Sequence, residues 1–189
     1  MMLIEIFKII INILKLEKNF FKDKKNFGEA SIYFAILLII IGALISIIPN
    51  SSFLTYMGSQ FKIGVIEGPS IRVVIITSLI MWLIKTTYLY FFGTILFPSK
   101  KTNCNYRKVL ILVAYCQVPL FLNILIINPI FLFWAIITYI WYNISLIIGL
   151  KIFLSYDGYI KAIFISLAPQ LVFLIYIFSI FQTSNINFS

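Results

Sequence analysis

The chain contains one uncharged stretch of forty-two residues, positions 109–150, between the basic pair Arg107-Lys108 and Lys151. As a single straight helix this stretch would be about 63 Å long, roughly twice the thickness of the hydrocarbon core of a bilayer. Asn128-Pro129 lies near its centre, and proline lacks a backbone donor and disfavours a helical conformation of the residue before it. The pattern therefore predicts two membrane-spanning helices joined by a tight turn.

Further apolar stretches of membrane length occur on both sides of this pair. The first is expected to end at Pro49-Asn50, and residues 51–70 are expected to form a mixed loop. The chain is thus predicted to be an all-α membrane protein, in which residues 28–189 form a domain of five transmembrane helices. The predicted spans cover residues 30–48, 71–97, 109–127, 130–150 and 162–181.

Residues 1–27 have a different pattern, in which polar residues recur at steps of three and four and form one stripe on a helix. The stripe consists of Glu5, Lys8, Asn12, Lys15, Asn19 and Lys22. Its charges interrupt the apolar centre that a cleaved signal peptide needs. We expect an uncleaved amphipathic helix on the membrane surface, with its lysines among anionic headgroups. The alternative is that this helix packs on the protein itself.

Composition and charge agree with a membrane location and indicate an orientation. The chain is 62% hydrophobic and 11% charged, with a mean hydropathy of +1.06 and a net charge of +9. The positive charges cluster in residues 1–27 and in the loops after the second and fourth predicted spans, so they indicate a cytoplasmic amino terminus and an outside carboxyl terminus rather than nucleic-acid binding. The loop after the second span contributes Lys100, Lys101, Arg107 and Lys108.

Candidate chemistry is sparse. The chain has no histidine, its six acidic residues all lie outside the predicted spans, and Cys104 and Cys116 do not have the spacing of a zinc site or a disulfide framework. General acid-base and metal-assisted catalysis require clusters of such groups. We therefore expect neither an enzyme nor a bound metal or cofactor.

Lys85 is the one ionisable residue well inside a predicted span, and such residues are costly enough to suggest a function. We expect its side chain to extend to the inner membrane surface. The alternative is that it points into the bundle and binds an anionic lipid or solute. Polar residues of several spans are then its candidate partners, although the amides among them also suit interhelical hydrogen bonds. These partners are Tyr88, Gln117, Asn123, Asn143 and Gln170.

Several short motifs together resemble the Yip1 domain family. Tyr88-Leu89-Tyr90-Phe91-Phe92-Gly93 precedes a basic link, and Tyr106-Arg107-Lys108 leads to Val113-Ala114-Tyr115-Cys116-Gln117-Val118-Pro119. Trp141, Lys161-Ala162 and Pro169 lie at positions similar to those of prokaryotic members. The resemblance implies a five-helix integral membrane protein with a cytoplasmic amino terminus. Eukaryotic members are associated with Golgi and endoplasmic reticulum trafficking and with Rab GTPases, but their Asp-Leu-Tyr-Gly-Pro signature is absent from this chain.

Two functions follow as hypotheses. The first is a non-enzymatic Yip1-like protein that organises or recruits partners and lipids at the inner leaflet, through residues 1–27 and 100–108. The second is a small transporter or a conduit for lipid or solute, with a polar site around Lys85. The expected partners are anionic lipids and a second copy or another membrane protein, with no nucleic acid. The composition favours a prokaryotic cell membrane, and a Golgi or endoplasmic reticulum membrane is expected if the source is eukaryotic.

Overall fold

The computed structural model describes residues 2–28, 31–61, 70–99, 102, 104–125 and 132–170. The regular structure within these ranges is entirely helical, as predicted. Short 3-10 segments at Lys24–Phe27 and Val118–Leu125 and a π-helical segment at Phe91–Leu96 extend or connect the α-helices. The α-helices are α1 (Met2–Leu14), α2 (Lys18–Lys22), α3 (Ser31–Phe61), α4 (Ile71–Tyr90), α5 (Tyr106–Cys116), α6 (Leu132–Phe153) and α7 (Ile160–Gln170).

Three helical segments of the described chain are long and apolar enough to cross a membrane. They cover Ile71–Leu96, Tyr106–Leu125 and Phe133–Phe153, close to the second, third and fourth predicted spans. The apolar parts of α3 and α7 are shorter, Ser31–Ile47 and Ile160–Gln170. The turn predicted at Asn128-Pro129 and the rest of the fifth span lie outside the described residues. The structure thus confirms a helical fold with membrane-length helices, and the arrangement of five spans stays a prediction.

The mixed loop predicted for residues 51–70 is wrong over its first part, whereas the apolar stretch Ser31–Ile47 ends close to the predicted end of the first span at Pro49-Asn50. Helix α3 continues through the proline to Phe61, so residues 51–61 are helical rather than part of a loop. Proline inside a helix removes one hydrogen bond and tends to bend the axis, but the bonds on either side of it are kept. A helix can therefore continue beyond a proline, as α3 does.

Helix α5 is the centre of the fold. Eight consecutive residues from Val109 to Cys116 are buried, so the helix has no exposed face over this length. A helix that is apolar all round needs neighbours on every side, and α5 packs against α3, α4 and α6. The indole Nε1 of Trp82 in α4 donates a hydrogen bond of 3.0 Å to the carbonyl oxygen of Leu110 and ties these two helices together.

Helix α6 lies close to α5 at Gly149. A Cβ atom added to Gly149 would collide with the side chain of Leu112, which is fully buried. A similar close approach occurs at Gly93 at the end of α4, where an added Cβ would lie 2.6 Å from Cδ1 of Leu154. The absence of a side chain at these positions therefore sets how closely the helices pack.

We expect Gly149→Ala to lower the free energy of unfolding by about 1–3 kcal/mol, because the added Cβ collides with Leu112, which is fully buried and must shift within the core. The measurement is the melting temperature in detergent, where a shift of about 2–4 °C per kcal/mol is expected for a chain of this size. Gly158→Ala is the matched control, since an added Cβ there meets nothing within 4 Å. Equal melting temperatures for the two variants would contradict the packing described.

Candidate functional site

The segment after α1 is anchored to the bundle by an aromatic cluster. Phe20, Phe21 and Phe27 are buried, and the rings of Phe20 and Phe27 lie 5.9 and 5.5 Å from the ring of Tyr115 in α5. The ring of Phe27 also lies 4.4 Å from that of Phe153, at the end of α6. Aromatic pairs at these distances add to the stabilisation from burial alone. Residues 20–27 and the bundle therefore share one core.

Helix α1 presents different surfaces to the protein and to its surroundings. Ile13 is fully buried, and α1 contacts α5 and the 3-10 segment Val118–Leu125. On another face Phe7 is 63% and Ile11 46% exposed, and Lys15, directly after the helix, is exposed as well. One face of α1 thus packs on the protein itself, as the alternative expected. The outward apolar and basic residues still suit a membrane surface.

A polar cavity of about 490 Å³ lies between the amino-terminal segment and the bundle. We call it the N-terminal cavity. Its walls come from α1, from α2 with its flanking residues, and from the beginning of α3, and Tyr115 of α5 also lines it. Because it depends on contacts between residues far apart in the chain, no local motif indicates it. Its polar lining residues include Lys8, Asn12, Glu17, Asn19, Asp23 and Ser31.

Side-chain hydrogen bonds connect the loops after α4 and α6. The hydroxyl of Ser99 donates to the carbonyl oxygen of Ser155 at 2.9 Å, and the hydroxyl of Thr102 donates to that of Leu154 at 2.8 Å. The Tyr156 hydroxyl lies 2.9 Å from the carbonyl oxygen of Gly93, in the π-helical segment. The two basic loops of the prediction therefore lie side by side at one end of the bundle.

At this end of the bundle, burial favours the neutral forms of two side chains, Cys104 and Tyr156. Burial raises the pKa of the Cys104 thiol to about 11, and nearby Lys108 opposes this rise only in part. Burial also raises the pKa of Tyr156 to about 12. A thiol with such a pKa is almost wholly protonated at neutral pH and reacts slowly. These groups therefore have a structural role and do not form a nucleophilic site.

The predicted basic surface is described in part. Lys8, Lys15 and Lys22 are exposed, whereas Arg107 and Lys108 are half-buried in the first turn of α5. That turn is capped by Asn105, whose side-chain oxygen accepts a hydrogen bond of 3.3 Å from the backbone N–H of Arg107. The last two predicted residues, Lys100 and Lys101, lie outside the described residues.

Lys85 is turned towards α6. Its ammonium group lies 4.3 Å from the centroid of the Tyr142 ring, which is buried. The contact with Tyr142 fits the inward orientation, and the orientation of Lys85 in a membrane stays a prediction.

The predicted polar partners do not converge on Lys85. Asn123 accepts a hydrogen bond of 2.6 Å from Thr138, and Gln170 donates one of 2.8 Å to Asn143, so these amides connect neighbouring helical segments. The other two predicted partners make different contacts, Tyr88 stacking on Phe92 with ring centroids 4.3 Å apart and Gln117 lying beside Gly42. None of these contacts includes Lys85. The geometry thus favours interhelical hydrogen bonding for Asn123, Asn143 and Gln170.

Membrane-length apolar helices around a buried central helix define an integral membrane protein. A family model for the Yip1 domain matches residues 11–181, and the chain belongs to this family. The match confirms the resemblance predicted from the motifs at residues 88–93 and 106–119, and it includes the whole aromatic cluster. No curated protein and no solved structure matches the chain.

The contact between Lys85 and Tyr142 generates a prediction about stability. Lys85→Met and Tyr142→Leu should each lower the free energy of unfolding. The double variant should lose less than the sum, with a coupling of about 0.5–2 kcal/mol, because a desolvated cation over an aromatic face is an attractive pair. The measurement is a double-mutant cycle of unfolding in detergent. Tyr142→Phe is the control that keeps the ring, and additive effects of Lys85→Met and Tyr142→Leu would contradict the contact.

Proposed function

We propose that this Yip1-family protein is a non-enzymatic organiser of lipids and partner proteins at the cytoplasmic leaflet. The observation that carries the proposal is the amino-terminal segment, which is anchored by aromatic contacts and yet keeps Lys15 and Lys22 exposed. Phe7 and Ile11 lie exposed on α1, and Lys15 directly follows this helix. An anchored surface of this kind is suited to anionic headgroups and the adjoining acyl region.

The charge distribution supports a cytoplasmic position for this surface. Twelve of the fifteen Lys and Arg residues lie in the amino-terminal segment or in the loops after the second and fourth predicted spans. Lys62 and Arg72 lie near the opposite ends of the spans, and Lys85 lies within one. Positive residues in short loops favour the cytoplasmic side. We therefore propose five spans in a cell membrane, with the amino terminus inside and the carboxyl terminus outside.

The joined basic loops supply a second part of the proposed surface. Ser99 and Thr102 hold the link before α5 against the loop after α6. Arg107 and Lys108 at the start of α5 and Lys151 at the end of α6 therefore lie near these joined loops. A broad positive surface attracts acidic partners and anionic lipids over a distance set by ionic strength. A second copy of the chain or another membrane protein is the proposed partner.

The second candidate function is a small transporter or a conduit for lipid or solute. It is supported by Lys85, which lies half-buried within a membrane-length helix, and by the neighbouring Thr86, whose buried hydroxyl has no hydrogen-bond partner in the described part of the chain. Two observations place it second. Lys85 is not among the residues that line the N-terminal cavity, and Asn123, Asn143 and Gln170 bond to other residues.

The first proposal predicts that the purified protein retains phosphatidylglycerol in preference to phosphatidylcholine. The double variant Lys15→Gln/Lys22→Gln should reduce this preference by about tenfold, because each lysine near an anionic surface contributes attraction. The measurement is native mass spectrometry of the lipids that remain bound after exchange in mixed micelles. Added salt during exchange should weaken the preference, since screening acts on exposed charges.

The matched control is Lys62→Gln/Arg72→Gln, which removes two positive charges from the opposite side in the proposed orientation. This variant should keep the preference for phosphatidylglycerol. An equal loss in both double variants would show that total charge, and not the amino-terminal surface, determines lipid retention. A wild-type protein without any preference would contradict the proposed function directly.

A further inference from the structure

The N-terminal cavity contains polar side chains that have no partner within the described chain. Lys8, Asn12, Glu17 and Asn19 line it, and none of the four side chains makes a hydrogen bond or an ion pair with another described residue. By contrast Asn26, also in the wall, donates a hydrogen bond of 3.0 Å to the carbonyl oxygen of Phe20 and so holds the wall in place. Lys8, Glu17 and Asn19 are exposed and Asn12 is half-buried, so these donors and acceptors are open to a polar ligand that enters the cavity.

The charges of the lining select the kind of ligand. Of the lining residues that the structure describes, Lys8 is basic and Glu17 is acidic, and neither makes an ion pair with another described side chain. The cavity therefore offers one charge of each sign to a ligand. A ligand with an ammonium group for Glu17 and a phosphate for Lys8 matches both signs.

The apolar part of the lining adds a second constraint. Ile9, Phe20 and Phe34 line the same cavity, and Ser31 in its wall is the first residue of the apolar stretch Ser31–Ile47. In the proposed orientation this start of α3 lies at the cytoplasmic interface, where headgroups meet acyl chains. A volume of about 490 Å³ is within the range of small-ligand sites and accommodates a headgroup with its glycerol.

We propose that the N-terminal cavity binds a phosphoethanolamine group, with Glu17 contacting the primary ammonium and Lys8 contacting the phosphate. Asn12 and Asn19 donate or accept the remaining hydrogen bonds. The inference rests on the proposed inner-leaflet function and names a zwitterionic ligand for it, distinct from the anionic lipids on the outer face of α1. The group comes either from phosphatidylethanolamine or from soluble glycerophosphoethanolamine.

The test is competitive lipid retention by the full chain, measured by native mass spectrometry. Phosphatidylethanolamine should be retained over phosphatidylcholine by about tenfold, because three methyl groups remove the N–H donors that a carboxylate accepts. The mono- and dimethylated lipids should fall between these two. This series needs no variant, so it tests the site even if a substitution disturbs folding.

Two variants assign the selectivity to the cavity. Glu17→Gln keeps the size of the side chain and should remove most of the preference for the primary ammonium, and Lys8→Gln should weaken retention of both zwitterionic lipids by about tenfold. The matched controls are Asp157→Asn and Arg72→Gln, which change exposed residues outside the cavity and should leave retention unchanged.

A soluble arm distinguishes the two sources of the ligand. Glycerophosphoethanolamine is titrated into delipidated protein in a calorimeter. Binding that Glu17→Gln abolishes identifies the headgroup alone as sufficient, whereas no binding, together with Glu17-dependent lipid retention, identifies the intact lipid as the ligand. Both outcomes support the site.

Equal retention of phosphatidylethanolamine and phosphatidylcholine by the wild type would overturn the inference. So would a preference that Glu17→Gln leaves intact, since the cavity would then not be its origin. Neither result touches the proposed function, which depends on phosphatidylglycerol and on Lys15 and Lys22. If the preference for phosphatidylglycerol were absent and the selectivity for phosphatidylethanolamine were present, the proposed function would be contradicted and the cavity site would be supported.

Discussion

A helix without a polar face has to be covered on every side, and this constraint organises the molecule. Residues 109–116 of α5 are all buried, and three sides are supplied by α3, α4 and α6. At Tyr115 the remaining cover comes from Phe20 and Phe27 of the amino-terminal segment. That segment is therefore part of the core, and the cavity beside it exists because the segment is docked there.

Polar side chains in the bundle mainly stabilise the backbone and the contacts between helices, which fits a solvent that offers no hydrogen bonds. The indole of Trp82 in α4 donates a hydrogen bond to a carbonyl oxygen of α5. The hydroxyl of Tyr156, after α6, donates one to a carbonyl oxygen of the π-helical segment that follows α4. The side chains of Lys8 and Glu17 differ, because they line the N-terminal cavity and are open to a ligand.

The second to fourth spans were predictable because an uncharged run of membrane length has few alternatives. Pro49 was misjudged because the effect of a proline depends on the helix on either side of it. The amide pairs and the contact of Lys85 with Tyr142 depend on the rotation of each helix about its axis, which a nearly uniform apolar sequence does not encode locally. The N-terminal cavity was missed because it forms only when the amino-terminal segment packs on Tyr115, which is far away in the chain. In the sequence, the closely spaced Phe20, Phe21 and Phe27 were the one indication of this packing.

Hydrogen exchange of residues 20–27 in lipid nanodiscs tests most directly whether the amino-terminal segment is docked on the bundle. The account predicts slow exchange in the wild type and fast exchange in Tyr115→Leu, because loss of the central ring releases Phe20 and Phe27. Tyr139→Leu, at an exposed tyrosine of α6, should leave exchange unchanged. Protection that survives in Tyr115→Leu would show that the segment is held by the membrane alone and would contradict the account.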